Sequence, residues 1–134
     1  MLINSKIVFE GGKQFMKAYV MVILSILTSA LGQVTLKWGT LSVDKSPSDS
    51  IFRTMLKYFT NIHIICGIAL YGLSMTIWIL AISKIQLSVA YPMVAFGYII
   101  VTALSYFMFH EPLSKMKVAG LATIVLGVIM IARS

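Results

Sequence analysis

The sequence predicts an all-α membrane protein with four transmembrane helices, and two observations lead there. Of its 134 residues, 59% are hydrophobic and only 11% charged, against the ~25% charged fraction of an ordinary soluble domain. The apolar residues are also gathered into four runs, and crossing a bilayer core takes ~20 helical residues. Lipid offers no partner for open backbone groups, and the runs lack the alternating polarity of barrel strands, so each span must be a helix. Four spans consume most of the chain and leave a single membrane domain, residues 18–134, preceded by an N-terminal extension, residues 1–17.

The extension holds no apolar core followed by a small-residue cleavage site, so it does not read as a signal peptide. A first span covers 18–36, bounded by Lys17 and Lys37. The loop 38–61 contains Asp44-Lys45-Ser46-Pro47-Ser48-Asp49-Ser50, and Ser50 can start a short helix. Residues 51–59 are amphipathic enough to lie on the bilayer surface. Spans two and three cover 62–82 and 87–109, and the tight links Lys84-Ile85-Gln86 and His110-Glu111-Pro112 force antiparallel neighbours. A fourth span covers 114–132, with Lys115 and Lys117 snorkelling toward headgroups. Glu111 and Pro112 are expected to cap it, because Pro suits a first helical turn and an acid suits a helix N-terminus. Cys66, alone in an apolar run, is expected to be a buried, inert thiol.

Eleven basic residues against four acidic ones give net +7. Every clear charge lies at or beyond a span end, which makes membrane lipid the counter-charge and gives no reason to invoke nucleic acid. One side holds Lys6, Lys13, Lys17, Lys84 and Arg133, the other Lys37, Lys45, Arg53, Lys57, Lys115 and Lys117, five against six. Such a balance does not orient the chain by the positive-inside rule. Without residues 1–15, which hold Lys6 and Lys13, the count is three against six, which places the loops after spans one and three in the cytoplasm.

No acidic residue falls within any span, so the chain lacks the membrane-embedded carboxylate that proton- and cation-coupled carriers normally use. The spans carry instead stripes of small and hydroxyl residues at helical spacing. Ser25, Ser29, Gly32, Gln33 and Lys37 share one face of span one, flanked by Thr28 and Thr35; Gly67, Tyr71, Ser74 and Trp78 share one of span two; Tyr91, Ala95, Tyr98, Thr102 and Ser105 one of span three. Jointly these faces line a polar cavity, with Ser25, Ser29, Gln33, Lys37, Trp78, Tyr91, Tyr98 and Thr102 as candidate substrate-binding residues. Close helix packing is the competing use of Ser25, Thr28 and Ser29. An unpaired amide in hydrocarbon costs several kcal/mol, so Gln33 points inward. Lys37 is either a snorkelling anchor or a cation for phosphate. Pro92 and Gly97 weaken span three and could form a hinge. Ala119, Thr123 and Gly127, with Gly120 adjacent, form a small-residue seam suited to a dimer contact. His63 and His110 have no second ligand at metal spacing, and no nucleophile-base pair, phosphate loop or zinc pattern occurs; neither enzyme, metal nor cofactor is expected.

Gly32-Gln33 with Lys37, Leu87-Ser88-Val89-Ala90-Tyr91-Pro92-Met93, and His110-Glu111-Pro112-Leu113-Ser114 before a glycine-rich fourth span resemble the small four-helix branch of the drug/metabolite transporter superfamily. Within it the chain is most similar to the flippase subunits for aminoarabinose linked to undecaprenyl phosphate. Small multidrug resistance carriers share this architecture and use one glutamate in the first helix for proton and cation exchange. Alignment on Gly32 and Lys37 puts Ser29 in that glutamate's place, while Trp78 and Tyr91 fall where those carriers have aromatic residues. The resemblance implies an eight-helix dimer, homomeric or with a related subunit, that moves a polyprenyl-phosphate-linked sugar across the bacterial inner membrane in envelope lipid or lipopolysaccharide modification. Phosphate would pair with Lys37, on a path rimmed by Lys37, Lys84, Lys115 and Lys117. Three other readings stay open: an exporter of small cations, a non-transporting assembly subunit for a membrane glycosyltransferase, and an export route for a small neutral metabolite.

Overall fold

A computed structural model of the chain describes residues 2–44 and 46–133, with side chains for 12–44, 46–131 and 133. Lys6 and Lys45, counted above among the rim charges, fall outside the described side chains. The described residues form five helices and no strand: α1 Leu2–Ser42, α2 Ile51–Phe59, α3 Ile62–Ile82, α4 Leu87–Phe109 and α5 Lys115–Arg133. Among the described residues, three segments are long and apolar enough to cross a membrane: Gly12–Ser42, Ile62–Ile82 and Leu87–Phe109. α5 has 19 residues, about 28 Å at 1.5 Å per residue, with Lys115, Lys117 and Arg133 at its ends.

α1 is a single 41-residue helix that runs beyond both expected ends of the first span. Its C-terminal extension, residues 37–42, has no proline and is tied down by α3. Gly39 nests against His63 and Ile64, and Asn61 Nδ2 donates to Ser42 Oγ at 3.0 Å. Further along the same crossing, a Cβ on Gly32 would stand 3.2 Å from the Gly67 carbonyl oxygen, and one on Gly67 would stand 2.6 Å from Leu36 Cγ and 2.9 Å from the Leu36 backbone nitrogen. The two backbones are therefore in contact through glycine. α3 turns Ile64, Gly67, Ser74 and Ala81 into the structure. Cys66 lies off that face and is exposed, contrary to the expected buried thiol.

At the other end of the bundle a small-residue core, Ala18, Val22, Ala81, Ile85 and Ala90, joins α1, the α3–α4 link and the start of α4, with Trp78 and Met93 packed against it. α4 runs unbroken through Pro92, whose missing N–H leaves the Ser88 carbonyl without its usual intrahelical donor. Gly97 faces α1, where a Cβ would stand 3.3 Å from Ile26 Cγ2.

Asn61 caps α3 by accepting from the His63 and Ile64 N–H groups at 2.9 and 3.4 Å. Ser50 is the N-cap of α2, its hydroxyl accepting from the Arg53 N–H. Lys57 pairs with Asp49, and that hydrogen bond holds the Asp49 carboxyl below the ordinary aspartate range. α2 buries none of its residues and leaves Ile51, Phe52, Met55, Leu56 and Phe59 exposed.

The chain leaves α4 through His110, which adopts the left-handed conformation (φ 51°), a region where His is over-represented among non-glycine residues. The α5 cap differs from expectation. Ser114 Oγ accepts from the Lys117 N–H at 3.2 Å, while Glu111 lies three residues upstream and its carboxylate reaches Lys37 on α1. α5 packs on α4. Gly120 and Gly127 have nothing within 4 Å of where a Cβ would stand, Ala119 and Thr123 are exposed, and Thr123 Oγ1 donates to the Ala119 carbonyl at 2.9 Å.

The glycine crossing should be intolerant of a single methyl group. Gly67→Ala is expected to cost about 1–3 kcal/mol and lower the thermal unfolding midpoint of the detergent-solubilised protein. Gly72→Ala, where a Cβ meets nothing within 4 Å, should leave it unchanged or slightly raised.

Candidate functional site

Between the glycine crossing and the small-residue core, α1, α3 and α4 splay around an open groove of about 660 Å³, within the range of small-molecule sites. α1 supplies Ser25, Ile26, Ser29, Ala30 and Gln33; α3 supplies Tyr71, Ser74, Met75 and Trp78; α4 supplies Tyr91, Val94, Gly97, Tyr98, Val101 and Thr102. Seven of the eight substrate-binding candidates meet on this wall. The eighth, Lys37, stands one helical turn beyond Gln33, outside the lining.

The polar groups of the groove fall into two kinds. Ser25 and Ser74 are buried and spend their hydroxyls within their own helices, donating to the Val22 and Tyr71 carbonyls at 2.8 and 2.7 Å. Thr28 and Thr35, flanking the stripe, donate likewise to the Leu24 and Leu31 carbonyls, both at 2.8 Å. Gln33 Nε2 donates to Ser29 Oγ at 3.3 Å, which fixes the amide along the α1 face. Tyr91 and Tyr98 differ: both are exposed, and among the described residues nothing pairs with their hydroxyls. Trp78 and Tyr91 meet edge to face with centroids 6.0 Å apart, bridging α3 and α4 across the groove.

The sequence places Tyr71 and Ser74 on the α3 face that lines the groove without singling them out as site residues, and the stripes read from it leave out Ile26, Ala30, Met75, Val94 and Val101. Val94 and Val101 alternate with Tyr91 and Tyr98 at steps of three and four, a period that was available. Met75 carries no polar signal that could have marked it. Ala95 and Ser105, placed in the α4 stripe, do not line the groove.

Beyond Gln33, the groove ends in a cluster contributed by α1 and the α4–α5 connection. Lys37 Nζ pairs with the Glu111 carboxylate and lies 5.5 Å from the centroid of the Phe109 ring. Trp38 meets the same ring edge-on at 6.4 Å. Hydrogen bonding from Lys37, together with the Lys37 and Lys117 charges, holds the Glu111 carboxyl below its ordinary value. Lys115 and Lys117 stand at this end and Lys84 at the opposite one. Among the described residues there is no group of three or more His, Cys, Asp or Glu that could hold a metal.

Residues 17–124 match the model of the Small Multidrug Resistance protein family. The chain belongs to this family. It is 25% identical to a probable 4-amino-4-deoxy-L-arabinose-phosphoundecaprenol flippase subunit ArnF of Shewanella sediminis, over 86% of this chain and 87% of the relative. It is 28% identical to a probable subunit ArnE of that flippase from Proteus mirabilis, over 87% and 97%. An uncharacterized protein, y4nH, of Sinorhizobium fredii is 30% identical over 85% and 93%. No solved structure matches the chain. As a family member with three helices among its described residues able to span a bilayer, the chain is a multi-pass membrane transporter protein.

The Lys37–Glu111 pair sets a pH dependence. The carboxyl titrates below its unfolded value, so the stabilisation from the pair is complete above the ordinary glutamate range and is lost as pH falls through the depressed folded value. Glu10 and Glu111 are the only glutamates of the chain, so 13C-glutamate labelling gives two carboxyl signals. Lys37→Gln should move one of them back toward the ordinary glutamate pKa.

Proposed function

We propose that this chain translocates a polyprenyl-phosphate-linked sugar across the bacterial inner membrane, as part of envelope lipid or lipopolysaccharide modification. The observation that carries this reading is a groove of hydroxyl, amide and aromatic groups without a single acid among its lining residues. A cation exporter needs a carboxylate to exchange protons for cargo, and the position that would supply it holds Ser29. An uncharged path suits a sugar, whose hydroxyls exchange hydrogen bonds with Gln33, Tyr91, Tyr98 and Thr102 while the polyprenyl tail stays in lipid. The names of the flippase-subunit relatives support the same direction.

In this reading α5 is a fourth crossing, its about 28 Å close to the ~30 Å hydrocarbon core, with terminal lysines at the headgroups. The working unit is a dimer with a second copy or a related subunit. Each chain presents the open seam of Ala119, Gly120, Thr123 and Gly127, where small residues allow backbones to approach. Pro92, with its unpaired Ser88 carbonyl, and Gly97, against Ile26, are the places where α4 flexes during transport.

The test is transbilayer movement of a polyprenyl-phosphate sugar in proteoliposomes containing this chain alone or with a related subunit. Acceleration of at least about tenfold over protein-free vesicles is expected, reduced severalfold by Gln33→Leu or Tyr98→Ala in protein that retains its unfolding midpoint. Failure to accelerate in either combination overturns the reading.

A further inference from the structure

On α1, Ser25, Ser29, Gln33 and Lys37 follow one another at steps of four, so the polar file of the groove continues directly into a cation. That cation is not open to a ligand as it stands, because the Glu111 carboxylate occupies it. We propose that Glu111 is an internal stand-in for an anionic ligand, and that Lys37 exchanges this carboxylate for the phosphoryl oxygens of a polyprenyl phosphate. The inference rests on the lipid-phosphate reading of the groove and adds to it the residue that holds the phosphate site until cargo arrives.

The geometry makes the exchange feasible. Both partners are reachable from solvent, the Lys37 side chain being 43% and that of Glu111 33% exposed. Lys37 is also fixed from its other side, over the Phe109 ring that Trp38 meets edge-on, so the ammonium stays in place when its carboxylate leaves. The displaced carboxylate has a destination. Lys117 already contributes to keeping Glu111 ionised, and its ammonium donates to the Pro112 carbonyl at 3.3 Å in the same connection. An ion pair this exposed contributes little to folding. Glu111 sits directly after the left-handed His110, between α4 and α5. Releasing it from Lys37 therefore removes the ion pair between α1 and the connection that positions α5, so that arrival of phosphate loosens the helix carrying the dimer seam.

Binding by calorimetry to the full-length protein in detergent separates this from a purely structural tie. The probes are farnesyl phosphate, farnesol and inorganic phosphate. Glu111→Gln is expected to bind farnesyl phosphate about tenfold more tightly than wild type, with farnesol unchanged, and Lys37→Gln about tenfold more weakly. The reversed pair, Lys37→Glu with Glu111→Lys, should keep the wild-type unfolding midpoint yet lose phosphate affinity. A gain limited to farnesyl phosphate assigns the site to a lipid headgroup; an equal gain for inorganic phosphate leaves the exchange standing but overturns lipid as its ligand. Equal or weaker phosphate binding by Glu111→Gln, or undiminished binding by the reversed pair, overturns the exchange. If that result accompanies transport of the lipid-linked sugar by wild type, the proposed function survives. If wild type does not transport but Glu111→Gln gains phosphate affinity, the exchange site stands and the proposed function falls.

Discussion

The groove exists because α1 and α3 touch backbone to backbone. Gly32, Gly39 and Gly67 remove the side chains that would hold the two helices at an ordinary interaxial distance of 8–10 Å, and Leu36 fills the space against Gly67. With that pair drawn together, α4 cannot enter between them. It lies across α1 instead, joined through the contact of Gly97 with Ile26 and through the small-residue core at Ala18, Val22, Ala81 and Ala90. The space left between these contacts is the site.

Inside that space, each polar group is either spent locally or kept for a ligand. In an apolar surrounding an unpaired hydroxyl is costly, so buried serines turn back to their own helix carbonyls. Ser25 and Ser74 do this and lose most of their capacity to bind cargo. Gln33, tethered by one of its donors to Ser29, keeps the rest of its amide, and the Tyr91 and Tyr98 hydroxyls stand unpaired among the described residues on the opposite wall. The site is thus a pair of walls with different duties: a rigid hydrogen-bonded face on α1 and an aromatic face on α4 that offers free hydroxyls.

Charge is handled by exclusion. The groove lining carries none, and at the Lys37 end Lys37 pairs with Glu111 and Lys57 with Asp49. The second pair orders the segment leading into the amphipathic α2, and the first ties α1 to the turn before α5. Together they hold Asp49 and Glu111 outside the groove and leave its lining to hydroxyl, amide and ring chemistry.

Much of this was legible in the sequence. Apolar runs bounded by charge or by Asn and Gln determined α3 and α4, because lipid leaves a backbone no alternative to the helix, and Ser50 marked the start of α2 through its capping hydroxyl. The 3.6-residue period placed seven of eight proposed contacts on a common wall, since periodicity records which residues share a face. Periodicity does not record which faces meet, how closely, or where a long side chain finds its partner. Only the tertiary structure decided that Gly67 sits on Leu36, that Cys66 faces outward, and that the cap of α5 is Ser114. The same holds for Glu111, which stands 74 residues from Lys37 in the chain. That separation is closed by the packing of α4 against α1, a sum of contacts that no local pattern encodes.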